Sequence, residues 1–154
     1  MQPNGVFVYN PLTAFDYLSG ASTAPDSFTY QISDGNGNFD TGTVNVTVTA
    51  ANDAPVITSD GSGATASVNA AENQTSVTTV TASDPDLPPD TLTYTLVGGA
   101  DQALFSITAG GVLTFNTAPD FETPGDADLD GVYQVTVQVD DGNGGIDTQA
   151  ISVT

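Results

Sequence analysis

Residues 133–154 read YQVTVQVDDGNGGIDTQAISVT. Tyr133, Val135, Val137 and Val139 occupy alternate positions, with polar residues between them. Apolar side chains recurring with period two turn one face of an extended chain to a core and the other to water. The octet DGNGGIDT follows at 141–148 and is a turn sequence, in which glycine is free to take positive φ. Beyond it, Gln149-Ala150-Ile151-Ser152-Val153-Thr154 alternates again. The stretch is therefore predicted to be a β-hairpin that joins the last two strands of an antiparallel module.

The octet has a second copy. DGNGNFDT stands at 34–41 and matches it at six of eight positions, 107 residues earlier. The likeness extends outward. Gly5-Val6-Phe7-Val8-Tyr9-Asn10 parallels Gly111-Val112-Leu113-Thr114-Phe115-Asn116, and Ala14-Phe15-Asp16 parallels Asp120-Phe121-Glu122. Alternating runs flank both octets. The chain thus contains a long internal repeat. Its organisation is predicted as the second half of one module over 1–49, a linker over 50–55 and a complete module over 56–154. In the complete module, strands are predicted near 56–58 with 65–69, then at 77–82, 91–97, 104–107, 112–115, 133–140 and 147–154. In the half module they are predicted near 5–9, 27–33 and 43–49, with Phe7, Tyr9, Phe28, Tyr30, Ile32, Val44, Val46 and Val48 partly exposed. No segment has useful helical periodicity. Seven short strands in a module of this size predict an all-β, immunoglobulin-like antiparallel sandwich.

Composition narrows the function. The 154 residues include no Lys, Arg, His, Cys or Trp, and 19 Asp and Glu give a net charge of -19. Without cations the chain cannot displace counterions from a phosphate backbone, so nucleic acid is not an expected partner. Nor is direct membrane insertion, since no apolar run reaches the length of a span. The first residues have neither a cationic nor an apolar region, so they are not expected to be a signal peptide. Uncompensated carboxylates repel one another, so the chain is expected to live in high salt, to bind cations, or both. An enzyme is not expected, because no His, Cys or Lys can act as base or nucleophile.

The carboxylates gather in short groups. These are Asn52-Asp53-Ala54-Pro55, Ala71-Glu72-Asn73, Asp84-Pro85-Asp86, Pro119-Asp120-Phe121-Glu122, and Asp141 at the head of the octet. The series resembles cadherin repeats, and specifically the cadherin-like and VCBS-type tandem repeats of large bacterial surface adhesins. Its order matches Glu-Asn, Asp-x-Asp, Asp-x-Glu, then an Asp after the penultimate strand. Ala14-Phe15-Asp16-Tyr17-Leu18 and Asp26-Ser27-Phe28-Thr29-Tyr30 look more VCBS-like. The resemblance implies Ca2+ at module junctions. It assigns Asp16, Asn52, Asp53, Asp84, Asp86 and Asp141 to an interdomain site and Glu72, Asp120 and Glu122 to a distal one. Asp34 would face a preceding module. The family linker is richer in Asp and Asn than Ala50-Ala51-Asn52-Asp53-Ala54-Pro55, which implies fewer ions here. Ca2+ takes about six to eight oxygen ligands in flexible geometry, which suits these residue types.

Asp126-Ala127-Asp128-Leu129-Asp130-Gly131 has the opening pattern of an EF-hand loop, but Val137 stands where a bidentate Glu is required. Asp126, Asp128 and Asp130 are read either as a solvated turn or as a local Ca2+ loop. The resemblance further implies an extracellular or cell-surface place, with neighbouring cadherin-like modules of the same or another chain as partners. The leading reading is a Ca2+-stiffened spacer of an adhesin. The alternatives are a filament or sheath subunit, completed by neighbouring chains, and a module that binds cell-surface glycans or proteins.

Overall fold

A computed structural model describes residues 6–18, 22–86, 90–120 and 122–154. The chain divides into two compact units: Met1–Asn52 with Asp86–Pro88, and Asp53–Pro85 with Pro89–Thr154. Phe121 and the start of the strand predicted at 5–9 lie outside the described residues.

The first unit is built on one hairpin. Strands β1 (Thr23–Ser33) and β2 (Phe39–Thr49) pair antiparallel from Thr23↔Thr49 to Ser33↔Phe39. The DGNG turn joins them. No third strand joins this sheet among the described residues, so the strand predicted near 5–9 is corrected. Its neighbourhood explains the difference. Pro11 has no N–H, Asn10 Oδ1 captures the Leu12 N–H at 3.0 Å, and the chain turns over 12–17. Phe7 instead packs its ring on Phe28 and Tyr30, with centroids 5.5 and 5.0 Å apart. Tyr9 donates its hydroxyl to Asp26 at 2.7 Å. That bond pushes the Tyr9 hydroxyl up to about 12 and holds the Asp26 carboxyl below its usual range. Apart from buried Ala24, the alternating face is at most half-buried, and Ile32 and Phe39 are 52 % and 63 % exposed.

The second unit is a sandwich. One sheet has the order β4 (Thr65–Val68), β11 (Ile146–Val153), β10 (Tyr133–Asp140), β7 (Thr93–Gly98), with β4 parallel to β11 and the other pairs antiparallel. The facing sheet has the order β5 (Ser76–Thr79), β9 (Val112–Phe115), β8 (Phe105–Ile107), with a short 3-10 helix, Gln102–Leu104, before β8. A two-residue pair, β3 (Val56–Ile57) with β6 (Ala82–Ser83), completes the set. The single strand predicted over 77–82 is thus two, β5 and β6, with fully buried Val80 between them. Val80 N–H bonds to the Gly111 carbonyl at 2.8 Å, and Thr81 N–H to Ser59 Oγ at 3.1 Å. The first bond carries the β5–β9 register one residue further, and the second takes the backbone over to the β3 side.

Tyr133, Val135, Val137 and Val139 all point into the core, as their period requires, with Ile57, Val80, Phe105, Leu113, Phe115, Ile151 and Val153. Each buried side chain of this size contributes about 1.5–3 kcal/mol. Phe115 stacks on Phe105 at 4.5 Å and meets Tyr133 edge-on at 5.0 Å. Gln149 shares the inward face of β11 and is fully buried; its Nε2 donates to the Gly63 carbonyl at 2.9 Å.

Candidate metal centres

The strands set where the carboxylates fall. β10 runs from Tyr133, opposite Val153, to Asp140, opposite Ile146 and Thr93. Asp141 therefore emerges at one end of the sandwich, beside the approach to β7. Asp84 follows β6 and Asp90 precedes β7, and both arrive at that end. One carboxylate oxygen each from Asp84, Asp90 and Asp141 lies within 4.8 Å of the others. Asp141 is buried, and its Oδ1 accepts the N–H groups of Asn143 at 2.7 Å and Gly145 at 3.0 Å. These bonds aim the carboxylate and close the octet turn.

At the opposite end, Ala70 N–H bonds to the Thr154 carbonyl at 2.8 Å, and Asn73 N–H to the Pro119 carbonyl at 2.9 Å. That brings Glu72 to Asp120 and Glu122. One oxygen each from Glu72, Asp120 and Glu122 again lies within 4.8 Å of the others, and all three residues are exposed. A Thr123 hydroxyl bond, then the Glu122 N–H at 3.0 Å, holds the Asp120 carboxyl below its usual range. The eight residues of β10 separate the two ends by about 25 Å.

A third trio, Asp126, Asp128 and Asp130, meets the same 4.8 Å limit. Asp126 is buried. Burial works to raise its pKa, but the N–H groups of Asp130 at 2.9 Å and Gly131 at 3.2 Å outweigh it and lower the pKa. Asp128 is pushed up by its hydrogen bond to Asp126, by desolvation, and by the charges of Asp130 and Asp126. The loop is pinned by Asp101, which is buried and accepts the N–H of Ala127 at 2.6 Å and of Gln134 at 2.8 Å.

The distal and local groupings read from sequence each come together, whereas of the six residues assigned to the interdomain site only Asp84 and Asp141 share a trio. Asp90 joins Asp84 and Asp141 where the sequence pattern places Asp86. Asp86 is 1 % exposed and belongs to no such trio among the described residues. Asn52 is half-buried; Asp53 and Asp16 are exposed. Asp34 is exposed in the β1–β2 turn, where the Asn38 side-chain amide and then the Asn36 N–H keep its pKa low. Sequence reading missed Asp90 and Asp101. The signal for Asp90 was its place just before a strand that pairs with β10. Asp101 carried no local signal, because its partners lie 26 and 33 residues away.

The donor sets are all oxygen and all anionic, the chemistry of a hard divalent cation. Oxygens on one Ca2+ sphere lie at most about 4.6–5.2 Å apart, twice the bond length, and the separations within each trio fall inside that limit.

The fold and its acidic ends define an immunoglobulin-like β-sandwich module. The sequence profile of the Bacterial Ig domain matches residues 1–47 and 52–154, and the chain belongs to that family. No curated protein matches it. Among solved structures it is similar to mouse cadherin-23 EC22-24, with 20 % identity and a TM-score of 0.56 over 85 % of this chain and 41 % of that one. It is also similar to Drosophila N-cadherin EC1-4, with 20 % identity and a TM-score of 0.57 over 91 % of this chain and 35 % of that one. Human Protocadherin-24 EC1-2 gives 21 % identity and a TM-score of 0.54 over 84 % and 64 %. The chain spans less than two thirds of each of these, and at such identities the likeness is one of fold. Among the described residues, no helix is long and apolar enough to cross a membrane.

Proposed function

We propose that this chain is a calcium-dependent structural module of an extracellular bacterial tandem-repeat adhesin, of the VCBS or cadherin-like type. Residues 1–49 are the closing half of one module, 50–55 a calcium-binding linker and 56–154 a complete module. The supporting observation is the pair of carboxylate trios at opposite ends of the second unit, Asp84/Asp90/Asp141 and Glu72/Asp120/Glu122. A sandwich with an acidic trio at each end suits head-to-tail arrays in which every junction shares cations between successive modules. Without Ca2+ the carboxylates repel and the junction hinges; with Ca2+ the ligands share ions and the array stiffens. No step of this function is enzymatic.

Small-angle scattering on the chain tests it. Adding calcium to a chelated sample is expected to lengthen the maximum dimension and sharpen the distance distribution. Identical curves in chelator and in excess calcium would refute the stiffening mechanism.

A second reading is a filament or sheath subunit, favoured by the exposed apolar residues of the β1–β2 sheet. There the face would be covered by a neighbouring chain. Concentration-dependent assembly that requires β1–β2 would favour it.

A further inference from the structure

The octet turns carry one chemical feature that metal binding does not use. Each has an exposed Asn followed by Gly: Asn36-Gly37 and Asn143-Gly144. The turn carboxylate fixes both flanks. Asp34 Oδ1 accepts the N–H groups of Asn36 at 2.7 Å and Asn38 at 3.2 Å; Asp141 Oδ1 accepts those of Asn143 at 2.7 Å and Gly145 at 3.0 Å. The glycine nitrogen between them is left over. Neither the Gly37 nor the Gly144 N–H donates a hydrogen bond among the described residues. Their φ angles are +96° and +106°, and nothing lies within 4 Å of where a Cβ would stand. An unblocked backbone nitrogen therefore follows an exposed side-chain amide, at five-membered-ring spacing.

We propose that Asn36 and Asn143 are sites of spontaneous deamidation, and that Asp90 slows the reaction at Asn143. The glycine nitrogen attacks Asn Cγ. The N–Cγ bond forms, the Cγ–Nδ2 bond breaks, and ammonia leaves with the glycine proton. Water then opens the succinimide at Cγ, giving aspartate, or at the main-chain carbonyl, giving isoaspartate; no redox change occurs. The two turns differ in how the amide is held. Asn143 Nδ2 donates to Asp90 Oδ2 at 2.9 Å, whereas Asn36 Nδ2 reaches only the Asp34 carbonyl at 3.4 Å. The tether holds the Asn143 amide away from free rotation into the attack geometry. Conversion at Asn143 replaces a donor beside Asp90 with a like charge, so the acidic end of the sandwich changes as the protein ages. Neither step requires a cation at that end.

The test is peptide mapping by mass spectrometry, with enzymatic isoaspartate labelling, after incubating the whole chain in chelator at mildly alkaline pH. Asn36 should convert several-fold faster than Asn143, while Asn45, Asn69 and Asn116, none followed by Gly, stay intact. Asp90→Ala should bring Asn143 to the Asn36 rate. Asp90→Asn, whose amide oxygen still accepts, should leave it near the unmodified rate. Intact Asn36 and Asn143 under conditions that convert a free Asn-Gly peptide would overturn the proposal, as would an Asn143 rate indifferent to Asp90→Ala.

Discussion

Gly111 shows how tightly single positions are set. It is buried at φ +81°, and a Cβ there would stand 2.1 Å from the Val80 carbonyl oxygen, the backbone group that precedes the break between β5 and β6. Gly111→Ala meets both a hard backbone clash and a left-handed φ, so a loss of about 2–4 kcal/mol is expected in denaturant unfolding. Asp101 is set by its partners rather than by space. Removing a buried carboxylate that accepts two N–H groups leaves both donors stranded, so Asp101→Ala should cost about 3 kcal/mol. It should also speed amide exchange at Ala127 and Gln134. An unchanged midpoint for either variant would contradict its assigned role.

At the scale of elements, the hairpins were the most legible part of the chain. The alternation in 133–139 names the inward face of β10, and the octet names its turn. Gln149 was also legible as inward-facing by period, although its burial contradicts its polarity. What local pattern could not supply was competition between partners. The 77–82 run is apolar enough for one strand, yet its backbone changes partner from the Gly111 carbonyl at Val80 to the Ser59 hydroxyl at Thr81. The run at 6–9 is apolar and β-branched or aromatic throughout, but it has Pro11 just beyond it and uses Phe7 to pack rings instead of extending a ladder. Among the acidic groups, short-range ones such as Asp126/Asp128/Asp130 could be read directly. Asp90 required knowing which strands pair.

Two predictions belong to this scale. In the 126–130 loop, Asp128 has a raised pKa and Asp126 a lowered one. Stability from Asp128 is present below its unfolded value and lost as pH rises through the raised folded value. Stability from Asp126 is present above its unfolded value and lost as pH falls through the depressed one. The metal-free loop is therefore most stable in mild acid, between the two. Asp128→Asn should raise the melting temperature in chelator at neutral pH, with the gain disappearing on acidification; a gain that persists in acid would contradict the assignment. The second concerns β1–β2. A two-stranded sheet with half-exposed apolar residues has little core to resist opening. Hydrogen exchange on a dilute monomer should be fast across Thr23–Ser33 and slow across Tyr133–Asp140. Strong protection of 28–33 in a demonstrated monomer would show that this unit folds alone.

At the scale of the whole molecule, the governing fact is a charge of -19 with no Lys or Arg to offset it. Self-repulsion of that size favours expansion, and it is relieved in two physically distinct ways. Mobile salt screens all carboxylates over about 10 Å at 0.1 M. A bound divalent cation acts only where oxygens converge, and by binding the folded state alone it stabilises by about 2.7 kcal/mol at a hundredfold excess over Kd. The melting temperature in calcium, compared with sodium chloride at equal ionic strength, separates the two most directly. A rise in calcium well beyond that in sodium chloride is expected, abolished in part by Asp141→Asn and in part by Glu122→Gln. Equal shifts in the two salts would mean that the acidic ends are only screened, and would contradict the calcium-stiffened module.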